Sequence, residues 1–269
     1  MMNQGINPGP IRKSDKPVTC PTHGSYFPFL AIIAGKQITS KCPRCNSLKD
    51  QENLAQIIRE MRSLEKTAYL RGAEIPNAYI NKTLKDFKFV NATIDRALMR
   101  VKAFIEEGKR PAGRPASLII IGKVGTGKSH LACAALNELC IAGRSGRYTT
   151  IGDIFRRIRS TWRKGSTEPE AAAYSEFTKP DFLVIDEIGI QTSVDGQASD
   201  DDLRIIADIM EKRRCNFCST IMISNLAWAT REGKPEFPLW VGERVVSRML
   251  ENGGAVLVMD GPDYRRKKS

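Results

Sequence analysis

The segment that most constrains the fold is GKVGTGKS, residues 122–129, which lies between the apolar run SLIII and an apolar helical pattern. Its glycines let backbone N–H groups close around phosphates, and the following helix N-terminus adds its positive end. The spacing GxxxxGK[ST] in this context indicates a phosphate-binding loop rather than a Gly-rich turn. The predicted nucleotide-binding residues are Gly122, Val124, Gly125, Thr126, Gly127, Lys128, Ser129 and His130, although the side chain of His130 is more typical of a packing position than of catalysis.

The residues predicted to hydrolyse ATP lie in the phosphate loop and at the ends of two further apolar strands. Lys128 would reach the β and γ phosphates, and the Ser129 hydroxyl would hold Mg²⁺. FLVIDE ends in Asp186 and Glu187, of which the first would hold Mg²⁺ through its water shell and the second would polarise the attacking water. TIMIS ends at Asn225, whose amide could orient that water or simply cap the next helix.

The order of strand and helix patterns predicts the fold class. After a helix at about residues 93–107 and a Gly/Pro loop, strands alternate with helices up to the final strand, AVLVM. The strands are nearly continuous apolar runs, as in sheets that are buried on both faces. The sequence therefore predicts an α/β domain with a parallel sheet between helices.

A second motif, near the N-terminus, predicts a metal site. CPTH and CPRC place Cys20, His23, Cys42 and Cys45 in two knuckles with eighteen residues between them. Each knuckle offers two ligands at one corner of a tetrahedron, so this spacing indicates structural Zn²⁺ rather than cysteines that only pack. Cys215 and Cys218 also read CxxC, but they have no second pair and are interpreted as packing or chance.

The domain organisation follows from periodicity and composition. Residues 1–17 are rich in Gly, Pro, Asn and Lys without periodicity, and are interpreted as a mobile arm with no assigned structure. Residues 18–72 form the predicted zinc-binding and helical N-terminal domain, and residues 73–269 the ATPase domain. The helix predicted from Leu48 to Arg71 is amphipathic, with an apolar face at Leu54, Ile57, Ile58, Met61, Leu64 and Ala68.

The formal net charge of +12 favours a polyanionic partner, nucleic acid before an anionic membrane surface, over a merely soluble basic surface. The longest apolar runs are far shorter than the about 20 residues of a spanning helix. We therefore expect a cytoplasmic protein without a membrane partner, whose seven cysteines are thiols or metal ligands.

Together, GTGKSHLA, FLVIDEIGIQ, the strand ending ISN, GERVVSRM and the closing DYR resemble the AAA+ ATPases of the DnaC-type replicative helicase loaders. The resemblance covers roughly residues 74–266. It implies that Asn225 is a sensor, that Arg248 is an arginine finger and that Arg265 is a second sensor. An arginine finger acts on a neighbour's ATP, so it also implies head-to-tail contacts that generate an open spiral. The alternative for Arg244 and Arg248 is a solvated helix face, with Arg248 paired to Glu251.

The segment DIFRRIRSTWRKG combines cations with aromatic residues, which suits binding of single-stranded DNA without sequence preference. The resemblance matches Arg159 and Trp162 to a helix that contacts such DNA. The alternative is an amphipathic helix whose buried stripe contains Phe155, Ile158 and Trp162. The predicted DNA-binding residues are Arg156, Arg159, Trp162 and Arg163.

These patterns lead to one expectation with two alternatives. We expect a bacterial or phage-encoded ATPase that binds the hexameric replicative DNA helicase and helps place it on single-stranded DNA, with the N-terminal domain as the docking module. The first alternative is an IstB-type transposition helper acting on double-stranded DNA. The second is a nucleotide-gated adaptor with vestigial hydrolysis, which the intact Lys128, Asp186 and Glu187 disfavour.

Overall fold

Runs of apolar and β-branched residues form the strands, because such residues pack well on a pleated, half-buried surface. The computed structural model describes residues 11–33, 36–45, 56–57, 64, 67–87, 91–110, 113–190, 198–229 and 236–264. The strands within these ranges are β1 (Arg12–Lys13), β2 (Val18–Cys20), β3 (Gly24–Tyr26), β4 (Phe29–Ile33), β5 (Lys36–Thr39), β6 (Leu118–Ile121), β7 (Gly146–Thr150), β8 (Phe182–Ile188), β9 (Ser219–Ser224) and β10 (Ala255–Val258).

Several helices begin at a polar residue whose side chain accepts from the first free backbone N–H groups. Asn91 accepts in this way from Thr93 and Ile94. The helices of the described ranges are α1 (Ala92–Gly108), α2 (Lys128–Ile141), α3 (Ile151–Ser160), α4 (Glu170–Thr178), α5 (Asp200–Cys215), α6 (Phe237–Val241) and α7 (Glu243–Leu250), with 3-10 turns at Leu84–Asp86 and Glu251–Gly253. No helix in this part of the chain is long and apolar enough to cross a membrane.

Five strands form one parallel sheet in the order β10, β6, β9, β8, β7. Ile121 at the end of β6 pairs with Ser224 at the end of β9, and Thr150 at the end of β7 pairs with Asp186 near the end of β8. We call the edge where these strands end the carboxyl edge. The predicted parallel sheet between helices is confirmed, since parallel neighbours need crossovers and helices supply them on both faces.

Successive strand side chains point to opposite helical layers. Leu118 and Ile120 pack in the cluster that contains α1 and α2, whereas Ile119 and Ile121 pack in the cluster that contains α3 to α7. Tyr148 of β7 packs against the first cluster, on the side of the helix that follows the phosphate loop. Cys133 and Cys140 of α2 are buried, as their spacing on one helix face predicts.

The chain divides into two compact units, residues 1–63 and 64–269. In the smaller unit β1, β4 and β5 form an antiparallel sheet, and β2 and β3 form a hairpin. The expectation that the arm has no regular structure is wrong for Arg12 and Lys13, which pair with Leu30 and Phe29. Strand pairing satisfies backbone donors and acceptors, and two residues of it leave no pattern in the sequence.

Three segments differ from the expected elements or extend beyond them. Helices α4 and α6 lie where no element is predicted, because α4 lacks a clear one-sided apolar stripe and α6 has only five residues. The helix predicted from Leu48 to Arg71 is helical at residues 56–57, 64 and 67–72, and the rest of it lies outside the described residues. Tyr69 and Leu70 pack on the core of the larger unit.

Candidate nucleotide and metal sites

The predicted phosphate loop leaves β6 at the carboxyl edge and enters α2. The N–H of Gly122 donates to Ser224 at 3.3 Å, and the N–H of Leu131 donates to Gly127 at 2.9 Å, which closes the first helical turn. The Lys128 ammonium is buried and donates to the carbonyls of Gly122 at 2.7 Å and Lys123 at 2.6 Å. The Lys128 ammonium and the backbone N–H groups of the first helical turn therefore lie together at the loop, as anion binding requires.

The remaining residues predicted for the loop differ in burial. Val124 is exposed, Thr126 is fully buried with its hydroxyl donating to the carbonyl of Lys123, and Ser129 is half-buried at the start of α2. His130 contacts the carbonyl of Thr83 at 3.3 Å, and burial lowers the pKa of its imidazole. His130 thus packs beside the loop, as its position suggests.

Residues 259–264 lie across the loop. The N–H of Met259 donates to Ile121 at 2.8 Å, and the N–H of Tyr264 donates to Gly125 at 3.1 Å. Gly125 has a φ of 78°, and a Cβ added there would lie 1.9 Å from Asp263 Oδ1. This close approach explains why a glycine is needed at Gly125. Arg265 follows directly on Tyr264 and lies outside the described residues.

Asp186 and Glu187 occupy an irregular end of β8. The register against β9 shifts between Ile185 and Ile188, and Glu187 has a φ of 62°, in the left-handed region. Asp186 is buried, with Oδ1 accepting from the Glu187 N–H at 2.7 Å and Oδ2 accepting from the Tyr148 hydroxyl at 2.9 Å. Glu187 is exposed and lines a cleft of about 780 Å³. Arg156 and Arg157 line the same cleft.

Asn225 is exposed and directly follows β9 at the carboxyl edge. The neighbouring strand ends are joined there, because the Ser224 hydroxyl donates to the Ile188 carbonyl at 2.6 Å. The structure therefore brings Lys128, Ser129, Asp186, Glu187 and Asn225 to one edge of one sheet.

Two residues beside this edge have no sequence motif. Tyr148 holds Asp186, and Phe87 lies against the loop, where its Cζ would be 2.6 Å from a Cβ added at Gly127. The ring of Phe87 also lies 5.0 Å from that of His130, centroid to centroid. Only the apolar character of these aromatic residues is visible in the sequence, and it does not distinguish them from core residues.

Arg248 lies away from this edge. Its side chain is only 12% exposed, and its guanidinium is 2.6 Å from a carboxylate oxygen of Glu211. It lines a groove with Pro115, Ala116 and Ser117, which precede β6, whereas the phosphate loop follows β6. Arg248 therefore lies at the opposite edge of the sheet from its own phosphate loop, and the predicted pairing with Glu251 is replaced by one with Glu211. Arg244 is exposed.

The four predicted metal ligands of the smaller unit come together, with all ligand atoms within 4.8 Å of one another. The sulfur of Cys45 lies 3.4 Å from that of Cys20 and 3.1 Å from His23 Nδ1, and His23 Nδ1 lies 3.8 Å from the sulfurs of Cys20 and Cys42. A tetrahedral ion with bonds of about 2.3 Å to sulfur requires ligand separations of about 3.8 Å. The cluster could hold such an ion.

Hydrogen bonding shifts the pKa values of two of these thiols in opposite directions. The backbone N–H of Thr22 lowers the pKa of Cys20 to about 6, whereas the hydrogen bond with Cys20 raises that of Cys45 to about 11. The thiolate is the form that binds metal, so Cys20 is ready to bind at neutral pH. Cys215 is exposed and Cys218 is half-buried, and neither joins this cluster.

The predicted DNA-binding residues lie on α3 and just after it. Phe155 and Ile158 are buried, as the amphipathic interpretation expects, but Trp162 is 40% exposed. The Trp162 Nε1 donates to Glu170 at 2.8 Å, and the Arg204 guanidinium lies 5.5 Å from its ring. Arg163 is also exposed.

The arginines of α3 are paired with acidic side chains. Arg156 pairs with Asp153, and Arg159 pairs with Asp202, which ends the acidic segment QTSVDGQASDDD, residues 191–202. Residues 191–197 of that segment lie outside the described residues. A nucleic acid phosphate that reached Arg156 or Arg159 would meet a guanidinium that a carboxylate already contacts.

A parallel sheet in this strand order, with a phosphate loop after one strand and paired carboxylates at the end of another, defines a P-loop ATP-binding protein of the AAA+ class. A family model described as "IstB-like ATP binding protein" matches residues 30–268, and the chain belongs to this family.

Its relatives include proteins named "Replicative helicase loader DnaC". The one from Escherichia coli K12 is 30% identical, over 79% of this chain and 81% of that protein. The one from Buchnera aphidicola subsp. Acyrthosiphon pisum is 31% identical, over 90% and 95%. These relatives support the predicted loader resemblance.

Solved structures share the fold. The crystal structure of the DnaC helicase loader has a TM-score of 0.53 at 24% identity and covers 68% of this chain and 99% of that chain. The replication initiator DnaA bound to AMPPCP and single-stranded DNA has a TM-score of 0.52 at 22% identity, covering 69% and 51%. At these identities the similarity concerns the fold.

Replacing Gly125 by alanine should abolish nucleotide binding, because the added Cβ would collide with Asp263 and push residues 259–264 away from the loop. Gly143→Ala is a matched control, since Gly143 has a φ of 84° and nothing within 4 Å of an added Cβ. Both variants should lose about 1 kcal/mol of unfolding free energy from left-handed backbone strain. Titration with a fluorescent ATP analogue distinguishes them, and equal affinities would contradict the role given to the 259–264 segment.

Proposed function

We propose that this protein is an ATP-dependent loader that binds the hexameric replicative DNA helicase and helps place it on single-stranded DNA. The observation that carries the proposal is the 30% identity to the E. coli replicative helicase loader over 81% of that protein's length. It favours loading over the IstB-type transposition helper, although both belong to the same family. A role in replication also implies a bacterial cytoplasmic setting, in a host- or phage-encoded protein.

ATP hydrolysis at the carboxyl edge is the proposed energy source. Lys128 binds the β and γ phosphates, Glu187 polarises the attacking water, and Asn225 orients it. Ser129 and Asp186 fit Mg²⁺, because a hydroxyl and a carboxylate held by two donors are the hard oxygen ligands this ion prefers. When bound, the ion neutralises charge that develops on the phosphates. Arg265 would serve as a second sensor, and the bond from Tyr264 to Gly125 supports this by bringing the chain to the loop.

We propose further that Arg248 acts on the nucleotide of a neighbouring subunit. The four residues of β6, roughly 13 Å at about 3.3 Å per residue, separate the Arg248 groove from the subunit's own phosphate loop. A guanidinium at that edge can meet a phosphate loop only in a head-to-tail contact, which generates an open spiral when it does not close. Glu211 holds Arg248 until a phosphate replaces it.

Replacing Arg248 by alanine should leave ATP binding intact and lower assembly-dependent hydrolysis by about a thousandfold, the scale of an arginine finger. Lys128→Ala should fail to bind ATP. Mixed assemblies of the two variants should recover activity, because an intact finger from the Lys128→Ala subunit then meets an intact loop. Arg244→Ala, at an exposed position of the same helix, is the matched substitution and should have a smaller effect. Full activity of an isolated monomer would rule out hydrolysis in trans.

The ion proposed for the N-terminal cluster is Zn²⁺, bound by Cys20, His23, Cys42 and Cys45 with no open position for catalysis. It would stabilise a unit with few large buried side chains in its described part. Residues 18–72 would then form the module that docks on the helicase, with the exposed Ile57 of the smaller unit among its contacts, although residues 64–72 group with the larger unit. The IstB-like family match begins at residue 30, within this module.

Purified full-length protein should contain one zinc ion per chain by elemental analysis, and Cys42→Ser should lose it together with helicase binding. Cys215→Ser is the control, because Cys215 is exposed and outside the cluster. Stoichiometric zinc in the Cys42→Ser protein would exclude this ligand set.

We propose that single-stranded DNA binds to the surface formed by Arg156, Arg159, Trp162 and Arg163. The formal net charge of +12 supports a polyanionic partner, and the exposed Trp162 ring offers a surface for base stacking. Because Arg156 and Arg159 already contact carboxylates, a bound phosphate would compete with them for the guanidinium groups.

Mixing the protein with the host helicase, ATP and circular single-stranded DNA tests the proposed function. Helicase should transfer to the circle with wild-type protein and fail to transfer with Glu187→Gln, which binds ATP without hydrolysing it. A preference for coating double-stranded DNA without helicase transfer would instead support the transposition helper, and transfer by Glu187→Gln at the wild-type rate would support a nucleotide-gated adaptor.

A further inference from the structure

Tyr148 contacts the Asp186 carboxylate from the neighbouring strand. Its hydroxyl donates to Oδ2 at 2.9 Å, while the Glu187 N–H donates to Oδ1 at 2.7 Å. Each carboxylate oxygen therefore receives one donor, and the plane of the carboxylate is fixed. A carboxylate has about four acceptor positions, so oxygen lone pairs remain for a metal ion or its water.

Tyr148 is itself held at both ends. Its backbone N–H donates to the carbonyl of Ala73 at 2.7 Å, beyond the edge strand of the sheet, and its ring packs against the core cluster that contains α1 and α2. Next to it, Arg147 pairs with Glu74 at 2.8 Å. A tyrosine hydroxyl carries its proton at neutral pH and can donate it to a carboxylate oxygen.

The burial of Asp186 makes this donor hard to replace. The residue is 6% exposed, so water has little access to take the place of a lost hydroxyl. A carboxylate freed on one side can rotate about its Cβ–Cγ bond, which moves the oxygen meant for the metal. The groups that orient a ligand in this way typically influence metal affinity by about 10- to 100-fold.

We propose that Tyr148 is a positioning residue that orients Asp186 toward Mg²⁺ in the nucleotide site. The proposal rests on the ATP site described under the proposed function. It gives this chain a link between the strand that precedes α3 and the metal ligand of the ATP site.

Binding of a fluorescent ADP analogue, titrated with Mg²⁺, tests the proposal without using turnover. In Tyr148→Phe the Mg²⁺ concentration that gives half of the Mg²⁺-dependent gain in affinity should rise about 10- to 100-fold. The affinity without Mg²⁺ should stay unchanged, because Lys128 and the loop N–H groups are untouched. Added Mg²⁺ should restore the wild-type nucleotide affinity.

Tyr174→Phe is the matched control, since Tyr174 is a buried tyrosine of α4 that packs in the other core cluster, and it should match wild type. In an Asp186→Asn background, Tyr148→Phe should add nothing, because its effect passes through Asp186. A Tyr148→Phe protein that loses affinity equally with and without Mg²⁺, or that still acts in the Asp186→Asn background, would show a packing role and overturn the proposal.

The experiment separates this proposal from the one on which it rests. Wild-type protein that binds the nucleotide analogue without any Mg²⁺ dependence would overturn the Mg²⁺-dependent ATP site itself. Mg²⁺-dependent wild-type binding with an identical Tyr148→Phe titration would overturn only the role of Tyr148.

Discussion

The parallel register of the five-stranded sheet is the constraint on which the rest of the structure depends. Because the strands run the same way, the residues that follow β6, β8 and β9 reach one edge although they are far apart in the chain. The apolar strands need only pack between two helical layers to achieve this. Burial of Ile119 and Ile120 on opposite faces of β6 thus helps to place Lys128 and Asp186 at the same edge of the sheet.

The parallel sheet also places Arg248 and the phosphate loop at opposite edges. The sequence alone does not predict this separation. Arg248 and the phosphate loop lie at opposite ends of β6, so their distance is set by strand length rather than by side-chain flexibility. In the proposed assembly, each subunit would contribute its phosphate loop to one site and its Arg248 to the next. Its own Glu211 neutralises Arg248, which avoids leaving a guanidinium without a partner in a mostly buried groove.

Motifs made of adjacent residues could be predicted from the sequence, and contacts between distant residues could not. The loop at 122–129, the Asp186–Glu187 pair and the Cys/His knuckles each combine residue type with short spacing, and the parallel fold follows from the same pattern. Tyr148 touches Asp186 across 38 residues, and Tyr264 touches Gly125 across a much longer stretch. Helix α4 was not predicted because its sequence has no apolar stripe on one face. Its Tyr174 and Phe177 instead pack in a core cluster of the larger unit.

The positive net charge of the chain does not mean that the arginines of α3 are unpaired. The chain has an excess of twelve positive charges, yet Arg156, Arg157 and Arg159 on α3 are all paired with carboxylates. The pair of Arg156 with Asp153 is exposed on both sides and contributes little to stability, whereas the partner of Arg159, Asp202, is buried. Arg156, Arg157 and Glu187 line one cleft. In the proposed function, nucleic acid on α3 would therefore bring negative charge into the same cleft that the proposed catalytic carboxylate lines, and like charges repel.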